Sequence, residues 1–146
     1  MENNNFYLIS PDAGSNKKIY DLAKSIGYDG EIIRCDKLRD IPTGQIIETI
    51  VYKNDLGGKD AIIVDDICDG GKTFIELAKV LKEKNVGKIY LVVTHGIFSA
   101  GFDSLGEYFD GIYCTNSVKD ITDGTIVNTF SRHKTIHSLV KQLNVF

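Results

Sequence analysis

Residues 61–73 read Ala61-Ile62-Ile63-Val64-Asp65-Asp66-Ile67-Cys68-Asp69-Gly70-Gly71-Lys72-Thr73. The first four are continuously apolar and rich in β-branched side chains, the pattern of a strand buried on both faces. Two carboxylates stand where that strand should emerge. A glycine pair, a lysine and a threonine follow, and Phe74, Leu77, Ala78 and Leu81 then recur at helical spacing. Strand, polar turn and helix form the repeating unit of a parallel α/β sheet.

The turn itself carries chemistry. Glycines let a backbone approach an anion closely and adopt positive φ. A helix N-terminus offers unpaired N–H groups and a partial positive charge. Lys72 and Thr73 add a cation and a hydroxyl, while Asp65 and Asp66 can accept hydrogen bonds from sugar hydroxyls, directly or through Mg²⁺. A sugar phosphate satisfies both halves. The plainer reading is a helix capped by Asp69 with glycines as turn formers. The spacing is neither the GxxxxGK[ST] of a nucleoside-triphosphate loop nor the GxGxxG of a dinucleotide site.

Working outward, Phe6 to Ile9 reads as a short buried strand ending in Ser10-Pro11-Asp12-Ala13-Gly14. Ile19, Leu22, Ala23 and Ile26 mark a helix that Gly27 stops. Glu31 to Cys35 is a second strand, and the polar residues 36–45 read as a loop. Gln45 to Tyr52 resumes strand character before the turn at Asn54 to Gly58. Lys88 to Val93 is another strand, Phe102 to Phe109 a short helix, and Gly111 to Cys114 and Thr125 to Phe130 short strands. Ile136, Leu139, Val140 and Leu143 predict a closing amphipathic helix. The alternation predicts a mostly parallel central sheet flanked by helices. The loops after residues 9, 35, 64 and 93 should then share one edge, where such sheets bind ligands.

The 146 residues fit one domain, 1–146, and can bury a core without disulfide or metal staples. Seventeen basic against twenty acidic residues, net charge -3, argue against a general nucleic-acid binder. Cys35, Cys68 and Cys114 form no CxxC pair and read as reduced thiols, which suits the cytoplasm. The start lacks the pattern of a signal peptide, and no apolar stretch approaches the roughly 18 residues of a membrane span.

The segment from Ile62 to Thr73 resembles the phosphoribosyl pyrophosphate (PRPP) binding motif of type I phosphoribosyltransferases. Ser10 to Gly14 is similar to the SPDAGG segment of ribose-phosphate diphosphokinases, which make PRPP. Asp36-Lys37-Leu38-Arg39 is similar to the Lys-x-Arg of their mobile catalytic loop. Thr94-His95-Gly96-Ile97-Phe98-Ser99 resembles their THGxFS segment, and Thr115-Asn116-Ser117 their TNT segment. The matches keep the family order over roughly residues 6–137 and resemble the C-terminal half of that family. Two departures stand out: Gly70 replaces a threonine and Lys72 a glycine.

The resemblance implies a type I phosphoribosyltransferase-like fold and Mg²⁺-dependent diphosphate transfer from ATP to the 1-hydroxyl of ribose 5-phosphate or a related sugar phosphate. Asp65 and Asp66 would engage the ribose hydroxyls, and Asp69, Gly70, Gly71, Lys72 and Thr73 would wrap the 5-phosphate. Asp12 would hold Mg²⁺, and Lys37 and Arg39 would close over the transferring diphosphate. The family enzymes contain two such domains in tandem, and the N-terminal one supplies much of the ATP site. A homo-oligomer, or pairing with an ATP-site domain, is therefore expected. The chain could be a short protein, a separate subunit or a fragment. Two other functions stay open: a transferase that consumes PRPP with a nitrogenous base, and a non-catalytic PRPP-binding module.

Single residues have plainer readings too. Asp12 could cap the helix near Ser15, Lys37 and Arg39 could be a solvated pair, and His95 could be structural. His133 and His137, four apart, lack the residues that would complete a metal set. Cys68 has no evident base beside it.

Overall fold

The computed structural model describes residues 5–117, 127–130 and 139–140. Among them, seven strands form one sheet. They are β1 (Phe6–Ser10), β2 (Ile32–Arg39), β3 (Ile46–Val51), β4 (Asp60–Cys68), β5 (Ile89–Gly96), β6 (Gly111–Thr115) and β7 (Val127–Phe130). Their order is β3-β2-β1-β4-β5-β6-β7. Every neighbouring pair is parallel except β2 and β3, which form an antiparallel hairpin. This is the expected mostly parallel α/β sheet.

Helix α1 (Asn16–Ile26) covers one face and α2 (Lys72–Glu83) the other; α3 (Asp103–Gly106) is a single turn. Side chains alternate across a strand, so each central strand feeds two cores. Ile62 and Val64 of β4 join Phe6, Leu8, Ile19 and Leu22 on the α1 face. Ala61 and Ile63 join Ile9, Leu77, Leu81 and Leu91 on the α2 face. Burial on both faces explains why β4 reads as an unbroken apolar run. Gly27, at φ 70°, ends α1 in the left-handed conformation that glycine adopts without strain.

Three strands run further than the sequence pattern predicts. The polar segment 36–45 is not all loop, because β2 continues to Arg39. The partner strand β3 satisfies its backbone from Cys35 to Arg39, with a register shift between Leu38 and Arg39. Non-local pairing thus overrides the polar pattern. Likewise β4 runs through Cys68 and β5 through Gly96, paired as Ile67 with His95 and Cys68 with Gly96. Of the expected closing helix, Leu139 and Val140 are helical and fully buried. Its remainder, with His133 and His137, lies outside the described residues, as do residues 125 and 126 of the last expected strand.

Candidate functional site

At the carboxyl edge of the sheet, on the α2 face, lies an open cleft of about 330 Å³. Its walls are Lys37 from β2, Asp65 and Ile67 from β4, and the turn from Asp69 into the first residues of α2. Gly71, not Asp69, is the N-cap of α2, at φ 86° and without a side-chain cap. The opening N–H groups of the helix therefore have no capping side chain, as an anion site requires. A Cβ on Gly71 would also lie 3.1 Å from Leu105 Cδ2. Gly70 has neither constraint: its Cβ would meet open space.

The turn is held in place from β5. Ile97 and Phe98 N–H groups donate to the Cys68 carbonyl at 2.9 and 3.2 Å, and Ser99 N–H donates to the Asp69 carbonyl at 3.1 Å. The Thr94–Ser99 segment thus braces the anion turn through its backbone. His95 points elsewhere, with Nδ1 2.6 Å from Ser117 Oγ.

A polar chain links the cleft to the loop after β1. Lys37 Nζ lies 3.2 Å from Asp12 Oδ2. Asp12 Oδ1 accepts from Ser15 N–H at 3.0 Å and from Ser15 Oγ at 3.1 Å, and Ser15 Oγ stands 3.5 Å from Asp65 Oδ1. Asp12 therefore caps the helical turn and also pairs with Lys37. Burial by itself raises the Asp12 carboxyl, but the Lys37 ammonium and the Ser15 donors outweigh it and hold the group below its ordinary pKa. Asp65 shifts the other way. Burial raises it, and the charges of Asp12 and Asp66 add to that against the Asp66 N–H and Lys37.

Three expected residues do not line the cleft: Asp12 stands beside it, paired with Lys37, and Asp66 and Arg39 are engaged elsewhere. Asp66, one step along β4 from Asp65, points to the α1 face and pairs with Lys18. Arg39 Nη1 donates to the Gly44 carbonyl at 3.0 Å within the β2–β3 hairpin. Ser15 and Lys18 were missed by sequence reasoning. Ser15 could have been found from its capping position three residues after Asp12; Lys18 carries no local signal. The three cysteines are free and buried. Burial pushes the Cys35 and Cys68 thiols up to about 12, which leaves little thiolate for nucleophilic chemistry.

Asp65 offers hard oxygen donors in the cleft, and Asp12 offers others beside it, across the Lys37 pair and the Ser15 hydroxyl, which suits Mg²⁺. That ion is commonly held by one or two carboxylates with phosphates and water completing its shell. No cluster of three metal-ligating side chains occurs among the described residues. Among those residues, no helix is long and apolar enough to cross a membrane.

The family model of the phosphoribosyl synthetase-associated domain matches residues 47–137. The chain belongs to this family. It is 36% identical over 120 residues to the ribose-phosphate pyrophosphokinase of Mycoplasmopsis pulmonis, covering 81% of this chain and 37% of that protein. The fold matches the crystal structure of phosphoribosylpyrophosphate synthetase from Mycobacterium smegmatis with TM-score 0.73 at 23% identity, over 96% of this chain and 44% of that one. A hypoxanthine phosphoribosyltransferase from Staphylococcus aureus matches with TM-score 0.52 at 17% identity, over 88% of this chain and 62% of that one. The fold is thus of the type I phosphoribosyltransferase kind. The chain spans under half the length of the ribose-phosphate pyrophosphokinases it matches.

Proposed function

We propose that this chain transfers diphosphate from ATP to the 1-hydroxyl of ribose 5-phosphate or a related sugar phosphate, with Mg²⁺. A partner domain or a second copy completes the ATP site. The observation that carries this reading is the convergence of Lys37, Asp65 and the uncapped N-terminus of α2 on one cleft.

In this reading the Asp69–Thr73 turn binds the 5-phosphate through backbone N–H groups, Lys72 and the Thr73 hydroxyl. Asp65 accepts from a ribose hydroxyl. The 1-hydroxyl oxygen attacks the β-phosphorus and gives up its proton to water, the bond from that phosphorus to the α–β bridging oxygen breaks, and AMP departs with that oxygen. Lys37 offsets charge on the β-phosphoryl and on the leaving AMP, and Arg39 joins it if the hairpin closes. Preorganised cations of this kind supply the largest share of such catalysis. Asp12, with Asp65 beyond the Ser15 hydroxyl, would hold Mg²⁺, which when bound neutralises phosphate charge.

The test is AMP release from ATP, Mg²⁺ and ribose 5-phosphate with the purified chain, alone and with candidate partner domains. AMP release that requires the sugar supports the reading. If calorimetry detects sugar-phosphate binding while no mixture releases AMP, the chain is a binding module. Diphosphate release from PRPP with a nitrogenous base would instead assign the PRPP-consuming reaction.

A further inference from the structure

Ser15 ends the short helical turn Ala13–Ser15 and stands at the N-cap of α1, 7% exposed. A serine at that position ordinarily spends its oxygen on the first free N–H groups of the helix. Here the side chain makes no such cap. Its Oγ lies instead 3.1 Å from Asp12 Oδ1 and 3.5 Å from Asp65 Oδ1, between two carboxylates. Residues 10–15 read Ser-Pro-Asp-Ala-Gly-Ser, so a hydroxyl stands where the SPDAGG segment they resemble has its second glycine.

A hydroxyl carries one hydrogen and can serve one carboxylate at a time. The distances put that hydrogen on Asp12 in this structure, since 3.5 Å is long for an O–H···O bond. Asp12 has other donors: the Ser15 N–H at 3.0 Å on the same oxygen, and Lys37 Nζ at 3.2 Å on the other. Asp65 Oδ1 accepts the Asp66 N–H at 2.8 Å and keeps a lone pair for a second donor. The Ser15 N–H is fixed in the backbone. Its hydroxyl hydrogen, by contrast, passes from one carboxylate to the other by rotation about the Cβ–Oγ bond, with no heavy atom displaced.

Resting on the reading that Asp12 holds Mg²⁺ and Asp65 the ribose, we infer that Ser15 is a positioning residue whose hydroxyl couples the two binding events. A cation on Asp12 competes for the lone pairs that the hydroxyl uses, and the hydroxyl hydrogen turns to Asp65. Held then by two donors on Oδ1, the Asp65 carboxylate is fixed in orientation, with Oδ2 left to accept from a sugar hydroxyl. The coupling is reciprocal: whatever factor Mg²⁺ adds to sugar affinity, the sugar adds to Mg²⁺ affinity.

The experiment titrates ribose 5-phosphate into the full chain by calorimetry, without Mg²⁺ and with Mg²⁺ in excess, after subtracting a blank of Mg²⁺ and sugar alone. The variants are Ser15→Ala and Ser15→Gly, which delete the hydroxyl and keep the N–H that Asp12 accepts; thermal unfolding checks that both fold. The expected result is sugar binding tightened about tenfold by Mg²⁺ in the parent and by less than about threefold in both variants, with Mg²⁺-free affinity unchanged. A merely structural role would weaken binding equally with and without Mg²⁺. Variants that keep the parent's Mg²⁺ factor therefore overturn the inference, whatever their absolute affinity, and so does a parent whose sugar affinity ignores Mg²⁺. In both cases the sugar still binds and the proposed reaction stands. If the parent binds no ribose 5-phosphate under either condition, this inference and that reading fall together.

Discussion

The Lys37 ammonium lies 3.2 Å from the Asp12 carboxylate, joining β2 to the loop after β1 across the carboxyl edge of the sheet. Both side chains are largely shielded from solvent, and the pair helps hold the Asp12 carboxyl below its ordinary pKa. An ammonium held this way waits beside the anion turn. In the proposed reaction, a diphosphate entering the cleft would draw Lys37 from Asp12 and leave Asp12 available to a divalent cation. The pair would then couple the freeing of a cation with the freeing of a metal ligand.

Removing Lys37 should therefore damage turnover more than sugar binding. Lys37→Ala is expected to lower kcat for AMP release by about 10²–10³-fold, the typical loss for one preorganised electrostatic donor. The Kd for ribose 5-phosphate should change by less than about threefold, because the Asp69–Thr73 turn and Asp65 remain. Steady-state kinetics beside calorimetry make the comparison. Equal losses in both quantities would move Lys37 from the transferring group to the sugar.

The two neighbouring aspartates should behave unequally. Asp65 lines the cleft, whereas Asp66 faces α1 and Lys18. Asp65→Asn is expected to weaken ribose 5-phosphate binding about tenfold or more, in line with a lost hydrogen bond to a charged group. Asp66→Asn should cost much less, and its exposed ion pair should add no more than about 1 kcal/mol to stability. Calorimetric titration of the two variants decides this, and a larger loss at Asp66 would mean that the carboxylate turns into the cleft when the sugar binds.

This inequality also shows what the sequence made legible. The buried strand, the glycine turn and α2 are local patterns, and all three stand where the pattern put them. The strand's end is not local. Reading β4 as finished at Val64 left Asp65 and Asp66 as one acidic pair on a loop. With the strand continued to Cys68, period-2 alternation sends them to opposite faces. Lys37 and Arg39 were named from the resemblance but placed on a loop for a related reason, since only pairing with β3 makes that polar segment a strand. The bracing of Cys68 and Asp69 by residues 97–99 joins elements far apart in the chain, and periodicity carries no trace of it.

The two glycines of the anion turn should also part company. Gly71→Ala forces a side chain into the left-handed region and to 3.1 Å from Leu105. The conformational cost alone is roughly 1–2 kcal/mol, so thermal unfolding should shift down by several degrees. Gly70→Ala meets open space and no positive φ; its stability should stay within about 0.5 kcal/mol of the parent. Phosphate-dependent stabilisation should survive at Gly70→Ala and weaken at Gly71→Ala, since the latter displaces the helix N-terminus. Scanning calorimetry with and without inorganic phosphate measures both effects.

Alkaline pH should destabilise the fold through its buried thiols. Burial pushes Cys35 and Cys68 from an ordinary value of 9.0 to about 12, and it raises Tyr28 as well. In the unfolded chain these groups lose protons near their ordinary values; in the folded chain they keep them. The folded state thus binds more protons between about pH 9 and 12, and unfolding free energy must fall as pH rises through that window. Below pH 9 both states are protonated at these positions and the contribution is constant. Denaturant midpoints from pH 7 to 11 should therefore be flat up to about 8.5 and then drop. Cys35→Ala lowers the whole curve by leaving a cavity, but its slope above pH 9 should be shallower than the parent's. A parallel curve would remove Cys35 as a contributor. Reaction of the native thiols with a thiol reagent at pH 8 should be slow, and fast once denaturant is added, because burial withholds both access and thiolate.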